Sequence, residues 1–307
     1  ALLSDGDNRF DVSRSTSGLP TGFKNSLRME AVSTSYKGGI LQIVEGSNCR
    51  GIVRGGSASL SFYAQANTGS SITSIRAALL SWRVGTEDSP TLDVVSAWRT
   101  AGLDPTLASN WNYENTPSSL AVTSSNQQFK IENITVNSAT LNLGVFIWID
   151  DTSYDAADEL FISGVQLNVG EVVSDFQSRP VHEEISGCQR YFQKTYDLDI
   201  SPGTINHNGR LEYVGARLGD YSAMDLAVNW QYKTTMRATG PTIVLYSPYS
   251  GEPGFASSDN HGDDAATTVY QGENGATLLV SADPDHIGNL AEDGLTQHAT
   301  ADSELGV

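Results

Sequence analysis

Hydrophobic residues in this chain recur mostly at every second position, in short runs broken by Gly, Ser, Asn, Asp and Pro. A period of two predicts strands with one buried face. Leu27, Met29 and Ala31 alternate with Arg28 and Glu30, and Leu60, Phe62 and Ala64 with Ser59, Ser61 and Gln65. The longest clean alternation runs through Leu141, Leu143, Val145, Ile147 and Ile149. Ile72 to Val84 is largely apolar on both sides, with Arg76 the charge in its middle, which predicts a central strand covered on two faces. Leu120 to Thr123, Phe129 with Ile131, and Leu160 to Val169 complete a first set of strands. A second set is predicted at Arg210 to Leu218, Met224 to Arg237, Thr242 to Tyr246, Thr267 to Tyr270 and Thr277 to Ala282. Ser247 to Asp264, rich in Gly, Pro, Ser and Asp, reads as a long surface loop.

Helical spacing occurs twice. Leu92, Val95 and Trp98, following the turn signal Ser89-Pro90, predict one or two turns; Ile185, Cys188 and Phe192 predict a short helix over Glu183 to Phe192, with two glutamates in its first turn. The second falls where the alternation of Leu160 to Val169 is broken by Gly170 and Pro180. The pattern therefore predicts an all-β chain in two units, 1–180 and a smaller β-rich 191–307, joined by a short linker or helix at 181–190. No internal repeat is present, which disfavours a propeller or β-helix.

Charge narrows the partners. The chain has 307 residues, and its 18 basic against 36 acidic side chains give a net charge of −18, which repels phosphate backbones and argues against nucleic-acid binding. Hydrophobic residues at 39% with only 18% charged exclude a solvating acidic tail and describe a globular protein. No apolar run approaches the roughly 18 residues of a spanning helix, so a soluble protein without membrane insertion is expected. Cys49 and Cys188 lie far apart in sequence and read as free thiols, Cys188 by default as a packing residue.

Catalytic motifs lose their anchors. His182-Glu183-Glu184-Ile185-Ser186 begins like a zinc-peptidase helix but carries Ser where the second His ligand is needed. Gly55-Gly56-Ser57-Ala58-Ser59 lacks the last glycine of a nucleophile elbow, and no glycine-rich loop precedes a Lys-Ser/Thr pair. The carboxylates Asp150, Asp151, Asp155, Asp158 and Glu159, and later Asp259, Asp263 and Asp264, could serve glycoside hydrolysis only as a pair across a cleft at about 5 to 9.5 Å. The first cluster could also wrap a structural calcium ion; the plainer reading is a solvated acidic turn, and no cofactor or metal is expected. Asp283-Pro284-Asp285-His286 reads as a turn, and the sequon Asn133-Ile134-Thr135 as ordinary strand.

Aromatic residues suggest a different chemistry. Sugar rings stack their C–H faces on indole and phenol rings while polar tips read the hydroxyls. Trp98, Trp111 and Tyr113 lie in the irregular region Ser89 to Pro117 beside Arg99, Asp104, Asn110, Asn112, Glu114 and Asn115, and are the candidate glycan-binding residues. The alternative is that these rings pack a long loop onto the sheet. Trp82 and Trp148 lie in strands and read as packing residues.

The succession SLRMEAVST, ILQIVEG, ASLSFYAQA, SIRAALLSW, DVVSAWRTAG, NWNYENTPSSLAVT, QFKIENI, VFIWIDD, LFISGVQLNVGEVVSDFQSRP and CQRYFQKTY resembles a family of tailed-phage virion structural proteins, of tail-fibre or head-fibre type. TMRATGPTIVLYSP and ATADSEL are similar to the C-terminal part of that family. The resemblance implies a carbohydrate-binding-module-like jelly roll followed by a second β domain, a place in the virion after assembly in the host cytoplasm, and a homo-oligomer, most simply a trimer. It implies contact with other virion proteins and brings no catalytic residue; contact with host-surface glycan is the expectation that the jelly roll and the loop aromatics add. The expectation is a non-enzymatic fibre or appendage protein contributing to host attachment. A purely structural decoration or adaptor protein is the alternative, and a polysaccharide depolymerase ranks below both.

Overall fold

In a computed structural model of the chain, which describes all residues except 35, 88–89, 152, 214–223, 259–261, 283–294 and 304–307, nearly all regular structure is β. The chain divides into two compact units, the first built by Ala1–Ser178 and the second by Arg179–Glu304. No helix among the described residues is long and apolar enough to cross a membrane.

The first unit is a sandwich of two antiparallel sheets. Its strands are β1 (Leu2–Ser4), β2 (Phe10–Ser15), β3 (Ser26–Ala31), β4 (Gly38–Val44), β5 (Ser57–Ala66), β6 (Ser74–Trp82), β7 (Val95–Ala97), β8 (Thr106–Leu107), β9 (Trp111–Tyr113), β10 (Leu120–Ala121), β11 (Gln127–Thr135), β12 (Asn142–Ile149) and β13 (Glu159–Val169). One sheet runs β1-β4-β12-β6, with β9 and β10 both on the far edge of β6; the other runs β2-β3-β13-β5-β11. From β3 onward the chain crosses between sheets at nearly every step, giving the interleaved orders β3-β13-β5-β11 and β4-β12-β6-β9/β10. That is the double Greek key of a jelly roll.

The period-two pattern accounts for the core. Met29, Leu60, Phe62, Ala64, Ile75, Leu79, Leu143, Ile147, Leu160 and Ile162 meet between the sheets. The opposite positions of β6 and β12 are apolar as well: Ala78, Leu80, Trp82, Phe146 and Trp148 form a second buried cluster on the outer face of the first sheet. Leu92, Val94, Val95, Trp98, Leu107, Trp111 and Tyr113 cover that face. This explains why β12 is buried at every position, where its sequence predicts one buried face.

Leu92 to Arg99 is not helical. Val94 is fully buried, β7 pairs with β8, and the Ser96 hydroxyl donates to the Thr106 and Leu107 carbonyls, so two adjacent β-branched residues take the extended form that suits them. Ser89 of the preceding turn signal lies outside the described residues.

The second unit opens with helix α1 (Val181–Gln189), none of whose residues is buried. Cys188, expected to pack, is exposed; Cys49 is buried, and both are free thiols. Strands β14 (Phe192–Lys194), β15 (Leu211–Tyr213), β16 (Met224–Gln231), β17 (Thr242–Tyr246), β18 (Phe255–Ser258), β19 (Gly262–Gln271), β20 (Gly275–Ala282) and β21 (Leu295–Asp302) form one antiparallel sheet among the described residues. Thr300 to Asp302 pair with both β14 and β17, and Leu295 and Thr296 with both β15 and β18, so β21 is central. Its core gathers Trp230, Tyr232, Met236, Leu245 and Leu278.

The long loop expected over Ser247 to Asp264 is shorter. Phe255 begins β18, which pairs with β19, and Ser247 is fully buried, its hydroxyl donating to Asp263. The predicted strand at Arg210 to Leu218 is described only through Tyr213, and the Asp283-Pro284-Asp285-His286 turn and Asp259 lie outside the described residues.

Candidate functional site

The three aromatic residues singled out by sequence all belong to the cover of the first sheet. They occupy different depths. Trp111 sits on β9, hydrogen-bonded opposite Trp82, with their rings 5.5 Å apart; its Nε1–H donates to the Thr91 carbonyl at 3.1 Å, and the residue is 4% exposed. Gly144 makes room for it, because a Cβ there would come within 3.3 Å of the Trp111 ring. Trp111 therefore packs against the sheet and turns no face to solvent. Tyr113 is half-buried, and its hydroxyl donates to the Pro105 carbonyl at 2.8 Å. Burial, with the Asp104 charge nearby, pushes its phenol well above the usual range.

Trp98 differs. It follows β7 at the start of the 98–105 loop and is half-buried, whereas Trp82, Trp111, Trp148 and Trp230, the other four tryptophans, are all buried. Its ring lies 6.1 Å from Phe146, which stacks on Trp148 at 4.7 Å, so Trp98 is the outermost ring of an aromatic column rising from β12. Packing fixes its orientation. Arg99, Thr100, Gly102 and Leu103 beside it are exposed.

A buried polar network fastens this loop to the sheet. Asp150, 3% exposed at the end of β12, accepts Arg76 Nε at 2.9 Å and the Gly102 N–H at 3.0 Å, while Lys37 Nζ donates to the Asp150 carbonyl. Arg76 Nη1 also reaches Asp104 at 2.8 Å and the Pro117 carbonyl. Burial opposes the Arg76 charge, but its hydrogen bonds to Asp150 and Asp104 prevail and hold its pKa raised. At Lys37 burial prevails over the attraction of Asp150 and Asp151, and the pKa is lowered. Further along, Arg83 pairs with Glu114 at 2.8 Å. The Asn115 amide completes the β6 edge between β9 and β10, accepting from the Leu79 N–H and donating to the Ala77 carbonyl.

The acidic cluster thus divides into separate structural tasks. Asp151 accepts from the backbone N–H groups of Thr73 and Ser74, and Asp158 from those of Ser71 and Asp155. Asp150 and Asp158 are buried, where the sequence predicts a solvated turn. Among the described residues no three His, Cys, Asp or Glu side chains converge as metal ligands. Sequence reasoning missed the Lys37–Asp150–Arg76 network. The available signal was Arg76, the lone charge in an otherwise two-faced apolar strand.

No protein-family model matches the chain, and no curated protein does. Among solved structures it is similar to a family 61 carbohydrate-binding module in complex with β-1,4-galactotriose, at 13% identity over 55% of this chain and 87% of that one, with a TM-score of 0.34. It is also similar to the C-terminal family 22 carbohydrate-binding module of Clostridium thermocellum Xyn10B, at 14% identity over 56% and 88% of the two chains, with a TM-score of 0.35. The enzymatically active domain of bacteriophage CBA120 tailspike protein 4 gives 10% identity over 55% of this chain and 19% of that one, with a TM-score of 0.35.

Proposed function

We propose that the chain is a non-enzymatic glycan-binding protein of a phage virion fibre or appendage, in which the 98–105 loop of the jelly roll touches host-surface saccharide. The observation that carries this reading is the placement of Trp98: it alone of the five tryptophans is not buried, and it is held by an aromatic column and a salt-bridged loop. A fixed indole face costs little ordering entropy when a pyranose stacks on it. One such ring contributes about 0.5–1.5 kcal/mol beyond area burial, so single-site affinity near the millimolar range (about −4 kcal/mol) is expected. Copies in a homotrimer would raise it through avidity. The virion setting rests on the sequence resemblance. Commitment of Asp150, Asp151 and Asp158 to backbone and cation partners supports a binding role over hydrolysis.

Glycan-array binding by the full chain, weakened in Trp98→Ala with the fold retained, is the expected result; unchanged binding in that variant refutes the site. Trp111→Ala is a poorer test, because it removes a packed ring. The competing reading, a structural decoration or adaptor protein, draws support from the use of Trp111 and Tyr113 as packing residues, and predicts no glycan signal at any valency.

A further inference from the structure

The second unit carries a cleft of about 370 Å³ at one end of its sheet, where β16, β19 and β20 run side by side. Asn229, Thr277 and Tyr270 stand in one cross-strand row, since Thr277 is the register partner of both Asn229 and Tyr270. Two residues along, Gln231 faces Gly275. Alternation along the strands sets this row on the face opposite the buried Trp230 and Ala276. Gly275 lies between Gln231 and Gly272, whose N–H donates to the Gly275 carbonyl, and a Cβ there would meet the Trp230 carbonyl oxygen at 2.6 Å, so the close strand approach at this end requires glycine.

We infer that this cleft is a second saccharide site, one that takes a neutral glycan. Tyr270 is 72% exposed, a large ring left in water on a strand interrupted beside it by a register shift between Thr268 and Tyr270. None of the residues lining the cleft is charged, in a chain with 18 basic and 36 acidic side chains. Amides and a hydroxyl supply its polar chemistry instead. The Thr277 hydroxyl donates to Asn229 Oδ1 at 2.8 Å and the Thr235 hydroxyl to Asn274 Oδ1 at 2.8 Å, which orients both amides and leaves both NH₂ groups to donate. The Gln231 side chain hydrogen-bonds no protein group among the described residues and offers both a donor and an acceptor. A flat exposed ring beside oriented amides matches a pyranose, whose C–H face stacks while its hydroxyls are read in pairs. A metal ion or phosphate finds no countercharge there, and a uronate or sialate finds no cation.

The inference is independent of the Trp98 site, and the experiment keeps the two apart. The full chain and its Trp98→Ala variant are titrated by saturation-transfer NMR with neutral gluco-, galacto-, xylo- and manno-oligosaccharides and with oligogalacturonate, at low and high salt. Binding of at least one neutral oligosaccharide that survives Trp98→Ala, is insensitive to salt, and weakens about three- to tenfold in Tyr270→Ala is expected. Asn229→Ala should weaken it as well, while Tyr270→Phe retains the stacking. Overturning results are no neutral saccharide bound by the Trp98→Ala chain, binding unchanged in a folded Tyr270→Ala variant, or salt-sensitive preference for oligogalacturonate.

Discussion

Replacing Asp150 by Asn tests whether the covering loop and the jelly roll form one cooperative structure. The substitution keeps the volume and removes the charge that two buried cations share: Arg76 at 2.9 Å and Lys37 with Nζ 4.0 Å from Oδ1. Breaking a buried ion pair from one side costs about 3–5 kcal/mol, because the remaining charge stays desolvated. Two features favour the lower end. Arg76 retains Asp104, whose side chain is 30% exposed, and Lys37, with its pKa already lowered by burial, can shed its proton. A loss of about 3 kcal/mol corresponds to a fall in Tm of about 6–12 °C for a domain of this size. Urea unfolding followed by tryptophan fluorescence reads mainly the first unit, since Trp82, Trp98, Trp111 and Trp148 lie in it and only Trp230 in the second; Trp230→Phe in the background makes the signal selective. Asn keeps a single acceptor oxygen, so either Arg76 Nε or the Gly102 N–H loses its partner, and the weaker anchoring should also speed tryptic cleavage after the exposed Arg99. Asp151→Asn is the control, because Asp151 receives backbone N–H groups and, among the described residues, forms no salt bridge, acting on Lys37 only at longer range. A destabilisation below about 1 kcal/mol, or one equal to the control, would refute the argument that the network anchors the loop.

Further outcomes follow from the same structure. Gly164 has φ +56° and a Cβ there would lie 2.8 Å from the Phe23 ring, so Gly164→Ala should cost about 1–3 kcal/mol in denaturant titration. In thiol titration with an aromatic disulfide, Cys188 should react in the native protein while Cys49 waits for unfolding, since burial, with Glu87 nearby, pushes its thiol up to about 11. His298 is fully buried, stacked on Tyr196 at 3.7 Å, with Nε2 against the Asn206 carbonyl and Nδ1 against the Thr195 hydroxyl, and burial lowers its pKa. The unfolded chain therefore takes the proton first. Stability of the second unit is present above the ordinary histidine value of 6.5 and is lost as pH falls through the lower folded value; urea midpoints at pH 7.5 and 5.0 measure it, and His298→Gln should flatten the difference.

Much of the sandwich is legible because its core obeys one rule. Met29, Leu60, Phe62, Leu143, Ile147 and Leu160 occupy alternating positions, and alternation alone assigns them to the interior. The rule weakens where a strand is covered twice or is short. β2 keeps Asp11, Ser13 and Arg14 in water and buries only Phe10, so it lacks the pattern that would announce it. Leu92, Val95 and Trp98 mimic a helix because a narrow β-ribbon wraps over a sheet and meets it at irregular intervals. In the second unit, β21 buries Thr296, Gln297, His298 and Thr300, which a hydrophobicity pattern reads as a polar stretch.

The candidate site shows the same limit one level up. Composition places Trp98, Trp111 and Tyr113 in one irregular segment, and the structure does bring all three against the outer cluster of the first sheet. What the sequence does not carry is depth. Trp111 is hydrogen-bonded into β9 opposite Trp82 and needs the missing side chain of Gly144 to lie down on the sheet, a relation between residues more than thirty positions apart. Trp98 stays outside because the paired part of β7 ends at Ala97, and because Asp150 and Arg76 hold the following turn against the sheet. An aromatic ring becomes a recognition surface when its neighbours fix it without covering it. At Trp98 that condition depends on a carboxylate fifty-two positions away, since 150 − 98 = 52, which is why Asp150→Asn should weaken glycan binding through the loop anchor, whereas Trp98→Ala removes the stacking face itself, with the stability loss limited to the half-buried part of the ring that packs on Phe146.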